Sequence, residues 1–448
     1  MGVKIISYLC GKISKDMKYL LTLVSTLVLF ASCNKDDKKD YTEIKSTRAV
    51  MIYMAGENSL TNNGSHRFLQ YDLAEIVKGS KYLADDQRLF VFVDSLGDRA
   101  NQKGTPYIIE VHDGQAIHRK DFDSDFYSCD PAKFQEIISW MTNNINADGY
   151  GLVLWGHANG WVVTRDSIAD GSQAASSRRA YGMDTNQDAG TPAITKWMNI
   201  TQMAKALDGV RKLDFIFADC CQMMCAEVGY ELRNATDYLI GSPAEIPGNG
   251  APYEEIVPLL FKNNSELYRG IIDTYYDYYL EAYKGTRREG YSVPLSVIDT
   301  RYIAQLAQAT RDVLPLFTDG YPMYPQEPDL DGNVFYYGYD DPLMYDMRAF
   351  IKKHVSASTF QSWDQVYAQA VPYYRMSMRW MTIYNTDEYY NLEAAFSTFD
   401  QDASINGCVS MFIPRLLRGY MAGEFKYNKT CNNFGWNRVI DWSRFGWE

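Results

Sequence analysis

Apolar residues in this chain fall into short unbroken runs, separated by segments in which they recur three and four positions apart. Ala49 to Ala55 (AVMIYMA), Arg88 to Asp94 (RLFVFVD), Leu152 to Trp155 and Leu213 to Phe217 read as strands covered on both faces, with a shorter one over Tyr107 to Val111. Between them, residues 65 to 80 and Ile200 to Leu207 carry helical spacing. A helix entered at Pro131 places Phe134, Ile137, Ile138 and Met141 on one face. Leu295 to Ile298 followed by a helix around Tyr302 to Leu314 continues the rhythm. A helix over Phe360 to Ala370 and strands near Met381 to Tyr384 and Val409 to Ile413 extend it. Residues 165 to 191 and 318 to 345 are too polar or too rich in Gly and Pro for a core and read as loops. The pattern predicts an α/β fold, a mainly parallel sheet with helices on both faces, against which the C-terminal portion packs. In such sheets reactive residues gather beyond the C-terminal ends of strands.

One apolar run does not fit a sheet. Tyr19 to Ala31 (YLLTLVSTLVLFA) follows Lys18 and precedes Ser32-Cys33. It falls short of the about 20 residues a spanning helix needs, so it reads as a secretory signal over residues 1–32, with Met17 a more economical start than Met1. A membrane anchor with an incidental cysteine is the blander reading. Small residues before a thiol resemble a bacterial lipobox, which makes Cys33 the lipid-bearing first residue of the mature chain. Residues 33–47, opening NKDDKKD, form a tether that cannot build a core. Lys35-Asp36-Asp37 resembles the acidic export signal of surface lipoproteins, pointing to the outer membrane and its outer face, with the periplasmic face as the alternative.

Composition narrows the partners. The formal charge of the 448 residues is −12, which argues against nucleic acid and suits basic substrates. Tyrosine (35) and tryptophan (9) are abundant enough to build pockets, and on their own would suit a glycan-binding lipoprotein. Of eight cysteines, Cys10 leaves with the signal and Cys33 is acylated. Cys129, Cys220, Cys221, Cys225, Cys408 and Cys431 lack the spacing of a disulfide scaffold.

Two strand ends carry the candidate chemistry: VLWGHANGW around His157, and FADCCQMMCAEVGYEL around Cys220 and Cys221. A histidine can take a thiol proton, and a helix opening near Cys221, with Met224, Val228 and Leu232 on its apolar side, would favour the thiolate. The same residues also suit a turn histidine beside buried cysteines, or a zinc site using His157, Cys221 and Cys225.

Both segments resemble the clostripain family of cysteine peptidases, whose catalytic domain shares the caspase-like α/β/α fold of gingipains, legumains and caspases. That family places a histidine in Trp-x-His-Gly and a nucleophile in Phe-Asp-Ala-Cys-Leu-Met with a helical Glu downstream. Leu154-Trp155-Gly156-His157-Ala158 and Ala218-Asp219-Cys220-Cys221-Gln222-Met223, with Glu227 following, match those positions. Aligning Asp219 and Glu227 together puts Cys221, not Cys220, at the nucleophile. Ala158 stands where the family has glycine, Ala218 replaces an aromatic and Gln222 an apolar residue.

The resemblance implies a catalytic domain over 48–300 with a C-terminal extension over 301–448, and a cysteine endopeptidase with His157 and Cys221 as its dyad. The amides of Cys221 and Ala158 would form the oxyanion hole, and Asp219 a pocket for Arg or, less well, Lys. It also implies maturation after a basic residue between the two catalytic positions, where Arg165, Arg178 and Arg179 lie. No cofactor is required by this chemistry. Calcium accompanies some members, yet no EF-hand loop is present, and Asp329, Asp331, Asp340 and Asp341 read equally well as a solvated face. A catalytically reduced surface lipoprotein that captures peptides is the alternative. Oligomeric state is not written in the sequence.

Overall fold

The structure is a computed structural model describing residues 45–61, 67–96, 104–162, 181–185, 195–314, 337, 344–377, 380, 405–414 and 433–445. Residues 1–32, Cys33, Arg165, Arg178, Arg179, Asp329, Asp331, Asp340, Asp341, Cys431 and the strand expected over 381–384 lie outside them.

A nine-stranded sheet forms the centre. Its middle is parallel: β1 (Ser46–Gly56) lies between β2 (Gln87–Ser95) and β5 (Ala147–Gly156), then come β8 (Leu213–Asp219) and β9 (Thr236–Gly241). Antiparallel strands finish both edges, β3 (Tyr107–His112) and β4 (Gln115–Asp121) beyond β2, β10 (Leu295–Asp299) and β12 (Tyr373–Arg375) beyond β9. Along β1 the side chains alternate between two cores. Met51 and Tyr53 meet Phe134, Ile137 and Met141 of α2 (Pro131–Asn144) and Met203 of α3 (Ile200–Leu207) in one cluster. Val50, Ile52 and Met54 share the other with Leu73 and Ile76 of α1 (Phe68–Gly79) and with Ile271 and Tyr275 of α5 (Asn264–Ala282). A strand apolar at every position is thus sandwiched by helices on both faces, as the unbroken runs predict.

Local signals set the helix starts. Asp130 accepts from the amides of Ala132 and Lys133 just ahead of Pro131, and Asn199 with Gln202 forms a capping box on α3. Asp299, the last residue of β10, caps α6 (Thr300–Val313) by accepting from the Arg301 amide.

Three expectations change. The short α4 (Ala226–Glu231) begins five residues after Cys221, because Gln222 takes a left-handed conformation (φ 59°) that interrupts any helix there. The described part of the polar 165–191 interval, residues 181–185, is largely buried: β6 (Tyr181–Asp184) pairs with β7 (Lys196–Met198), and the Ser128 amide and hydroxyl both bond Asp184. The strand expected over 409–413 is reduced to β13 (Ser410–Met411), paired with β11 (Tyr345–Asp346).

The C-terminal portion returns to the sheet. After α7 (Met347–His354) and α8 (Ala357–Ala370), β12 joins the main sheet beside β10. The Ser410 amide bonds the Met224 carbonyl at 3.0 Å, and the Phe412 amide bonds Glu227 Oε1 at 2.9 Å. The last helix, α9 (Gly435–Ile440), packs on α4 and α6 with Trp436 fully buried.

Candidate active site

β5 and β8 are parallel neighbours with Trp155 opposite Asp219. His157 and Cys221 each stand two residues further on, so they leave the same edge of the sheet from adjacent strands. The turns that follow are in contact. Gly160 has φ 54°, and a Cβ there would collide with the Gln222 carbonyl oxygen and lie 3.3 Å from Cys225 Sγ. Glycine at 160 therefore lets the histidine turn sit directly on the cysteine turn.

His157 is half-buried, with Nε2 3.0 Å from Ser59 Oγ. Its carbonyl accepts from the Gly182 amide at 2.9 Å, and Trp197 faces the imidazole with centroids 6.4 Å apart. Ser59 belongs to the turn after β1, so three strand ends converge on the imidazole. Ala158 bridges to Tyr181, which ties the residue after the histidine to β6.

Cys221 retains some exposure, whereas Cys220 is fully buried. Burial of the sulfur, then the carboxylate of Glu245, push the Cys221 thiol up to about 12, and Asp219 adds to this. The Ile246 amide pulls it the other way. Because α4 starts only at Ala226, the helix expected to open near Cys221 does not counter the rise. In this arrangement Cys221 is a protonated thiol.

Asp219 is 2% exposed and fully engaged. Tyr253 Oη and the Ala251 amide reach Oδ2 at 2.8 and 3.1 Å, and Tyr275 Oη reaches Oδ1 at 2.9 Å. Burial raises its pKa and these three donors lower it. A bidentate pair between Asp219 and a substrate arginine is therefore closed off in this arrangement. Asp72 lies alongside, taking the Trp155 indole N–H at 2.6 Å, and a Cβ on Gly250 would fall 2.8 Å from Asp219 Oδ2 and 3.1 Å from Asp72 Oδ2. Two carboxylates are thus stacked under the Pro247–Ala251 loop.

The zinc arrangement does not form. Cys225 is buried, with Ser410 and the Val228 and Trp161 amides around its sulfur. Among the described residues, the carboxylates of Glu57, Asp94 and Asp125 make the one group of ligand atoms close enough to share an ion. The described cysteines Cys129, Cys220, Cys221, Cys225 and Cys408 are all unbridged.

The clostripain family profile matches residues 52–413, spanning both catalytic candidates and most of the C-terminal portion. The chain belongs to the clostripain family. It is accordingly a cysteine peptidase. Its fold matches a secreted C11 cysteine protease from Bacteroides thetaiotaomicron solved with an irreversible peptide inhibitor, at 27% identity and TM-score 0.65, covering 89% of this chain and 99% of that one. It also matches an inactive zymogen C11 protease from Parabacteroides distasonis, at 22% identity and TM-score 0.66, covering 88% and 98%. No curated protein sequence matches the chain.

Several residues of this clostripain-family site were missed in the sequence. Ser59 follows β1 with no motif around it. Glu245 stands in no motif of its own. Tyr253 and Tyr275 stand in no catalytic motif, and Tyr275 lies on a buried helix side that mixes tyrosines with Leu267, Ile271 and Ile272.

Proposed function

We propose that this chain is a cysteine endopeptidase that cuts after basic residues, Arg before Lys, through a His157/Cys221 dyad. The observation that carries the reading is the equal offset of the two residues past the Trp155–Asp219 pair, with their turns in contact at Gly160. With Ser59 accepting from Nε2–H, the imidazole presents an unprotonated Nδ1 that takes the Cys221 proton. The sulfur attacks the scissile carbonyl, and the Cys221 and Ala158 amides hold the oxyanion. The imidazolium then protonates the leaving amine, and water hydrolyses the thioester.

Supporting a basic P1 residue are the two carboxyls of Asp219 and Asp72 under Gly250, of which Asp72 is pushed toward its neutral form by burial and by Asp219, so that a cation entering there would favour its ionisation. Direct pairing with Asp219 requires the Tyr253 and Tyr275 hydroxyls to yield. The raised Cys221 thiol fits a chain that becomes active only after cleavage at Arg165, Arg178 or Arg179, and one similar structure is of an inactive zymogen.

A panel of peptides differing only at P1 tests this, using wild type and Cys221→Ala. Hydrolysis after Arg and Lys that vanishes in a folded Cys221→Ala variant is expected. Turnover by that variant, or a preference for Asn or Asp, would overturn the assignment. The second reading, a catalytically reduced lipoprotein that captures peptides, is favoured by the same raised thiol. It predicts that basic peptides bind without being cut, even after the 165–179 interval is nicked. Anchoring through Cys33 at the outer membrane is part of the proposal, and Cys33→Ser should release the protein from the membrane fraction.

A further inference from the structure

A cavity of about 480 Å³ opens on the flank of the molecule where α1, α5 and residues 252–258 meet, a volume within the about 300–1,000 Å³ typical of ligand sites. Helix α1 contributes Glu75, the turn Ser80–Tyr82 contributes Tyr82, and α5 contributes Tyr278. Among the described residues Pro252, Glu254, Glu255 and Pro258 complete the lining. Three carboxyls, two phenol rings and two prolines thus face one space. Tyr82 is 66% and Tyr278 40% exposed, and Tyr71, one turn before Glu75 on the same side of α1, is 47% exposed. Tyr302 is the one other exposed tyrosine among the described residues, so exposed aromatic surface is concentrated on this flank. Ring faces attract cations, and carboxylates beside them strengthen that preference.

The lining discriminates between ligand classes. Apart from the two phenols it holds no neutral hydrogen-bonding side chain among the described residues, which argues against a sugar. Nor do Glu75, Glu254 and Glu255 bring their oxygens close enough together to share a metal ion. Carboxyls spread around aromatic rings suit an extended organic cation, and the lysine and arginine side chains of a peptide have that form. Lys78 stands 3.6 Å from Glu254 with both side chains half exposed, a weak pairing that an incoming cation can replace. Burial raises the Glu75 pKa most, and Glu254 and Glu255 add to it against the Tyr253 amide and Lys78. A cation in the cavity relieves that repulsion.

The cavity adjoins the carboxyls under Gly250. Glu75 follows Asp72 by one turn of α1, and Glu75, Glu255 and Asp72 each add to the burial that raises the Tyr278 phenol pKa. Tyr253 spans the two places, its amide donating to Glu75 Oε2 at 3.0 Å and its hydroxyl to Asp219 Oδ2 at 2.8 Å. We propose that this cavity is an accessory subsite for a second basic side chain of a peptide, held by Glu75, Glu254 and Glu255 against the rings of Tyr82 and Tyr278. Binding of the cationic peptide stands on its own, while its use in substrate selection rests on the peptidase reading.

The test uses the full chain carrying Cys221→Ala, so that nothing is cut, and a fluorescein-labelled hexalysine peptide with blocked ends. Fluorescence anisotropy should show binding that weakens as salt is raised and disappears when every lysine is acetylated. Glu254→Gln combined with Glu255→Gln should weaken it at least about fivefold, and Tyr278→Ala provides a second variant at the ring. Equal binding of the acetylated peptide would overturn the subsite, and so would undiminished binding by both variants. Loss of binding in Asp219→Asn with those variants unaffected would place the peptide in the candidate P1 pocket instead. With Cys221 intact, adding a lysine pair to an Arg peptide, at a series of distances on either side of P1, should lower KM at one placement with kcat unchanged. The double variant should bring the two KM values together. Equal KM values in wild type at every placement would refute the role in substrate selection. Absence of any hydrolysis would refute the peptidase reading and leave the binding result standing.

Discussion

At the scale of single residues, the Cys221 thiol is governed by its neighbours. Burial accounts for most of its rise to about 12, and Glu245 is the next cause. At neutral pH almost no thiolate exists, so reactivity should climb with pH and show no plateau below about pH 11. Glu245→Gln removes one repelling charge, which lowers the thiol pKa. At pH 8 alkylation of Cys221 by iodoacetamide, followed by peptide mass spectrometry, should be accelerated about three- to tenfold. An unchanged rate would mean that burial alone sets the thiol. Asp219 illustrates the opposite case. Its position two residues before Cys221 was legible from the motif, but its partners were not. Tyr253 and Tyr275 are 34 and 56 residues downstream, and only the folded packing brings their hydroxyls to the carboxylate.

At the scale of elements, the strands and helices with aliphatic patterning were readable almost to the residue. Ile200–Leu207 is the helix its spacing predicts, and β1, β2 and β8 extend their apolar runs by a few residues. What escaped were elements whose signal is spelled differently. Helix α5 buries Leu267, Ile271 and Ile272 together with Tyr268, Tyr275, Tyr276 and Tyr279, so more than half of its stripe is tyrosine, and β4 is largely exposed and polar. The supposed helix at Cys221 failed because helical spacing of Met224, Val228 and Leu232 begins only where the backbone recovers after Gln222. Short α4 has its own consequence through Glu227. Burial pushes this carboxyl up to about 7, against which the Phe412 amide is the chief opposing donor. The folded state keeps the proton to about pH 7, whereas an unfolded chain releases it near 4.5, so stability from this group is complete below 4.5 and declines as pH rises to 7. The loss should amount to about 3 kcal/mol. Urea unfolding at pH 4.5 and 7.5 should show that decline in wild type, and Glu227→Gln should flatten it. An equal decline in the variant would assign the pH dependence to other groups.

At the scale of the whole molecule, the sequence divides naturally at residue 300, where the matched motifs end and the patterning weakens. The packing does not pause there. Asp299 closes β10 and caps α6 in the same stroke, and β12, from residues 373–375, extends the main sheet by pairing with β10. Ser410 and Phe412 hold the Met224–Glu227 segment immediately after the Cys221 turn, and Phe412 stacks edge-on against Trp161, 4.7 Å from the histidine turn's own tryptophan ring. Trp436 and Trp442 are both buried in the same core as the β1 and β8 side chains. Cutting the chain after residue 300 would uncover β10, leave Glu227 buried without its amide partner, and expose several large aromatic side chains to water. Each such loss costs on the order of 1–5 kcal/mol, together more than the about 5–15 kcal/mol that stabilises a typical domain. A chain ending at residue 300 should therefore fail to fold: its circular dichroism should lack a cooperative thermal transition, and limited trypsin should degrade it to small peptides. The full chain should resist under the same conditions. A sharp transition in the truncated chain would show that the sheet needs nothing beyond β10, and that residues 301–448 are an appendage rather than part of the peptidase core.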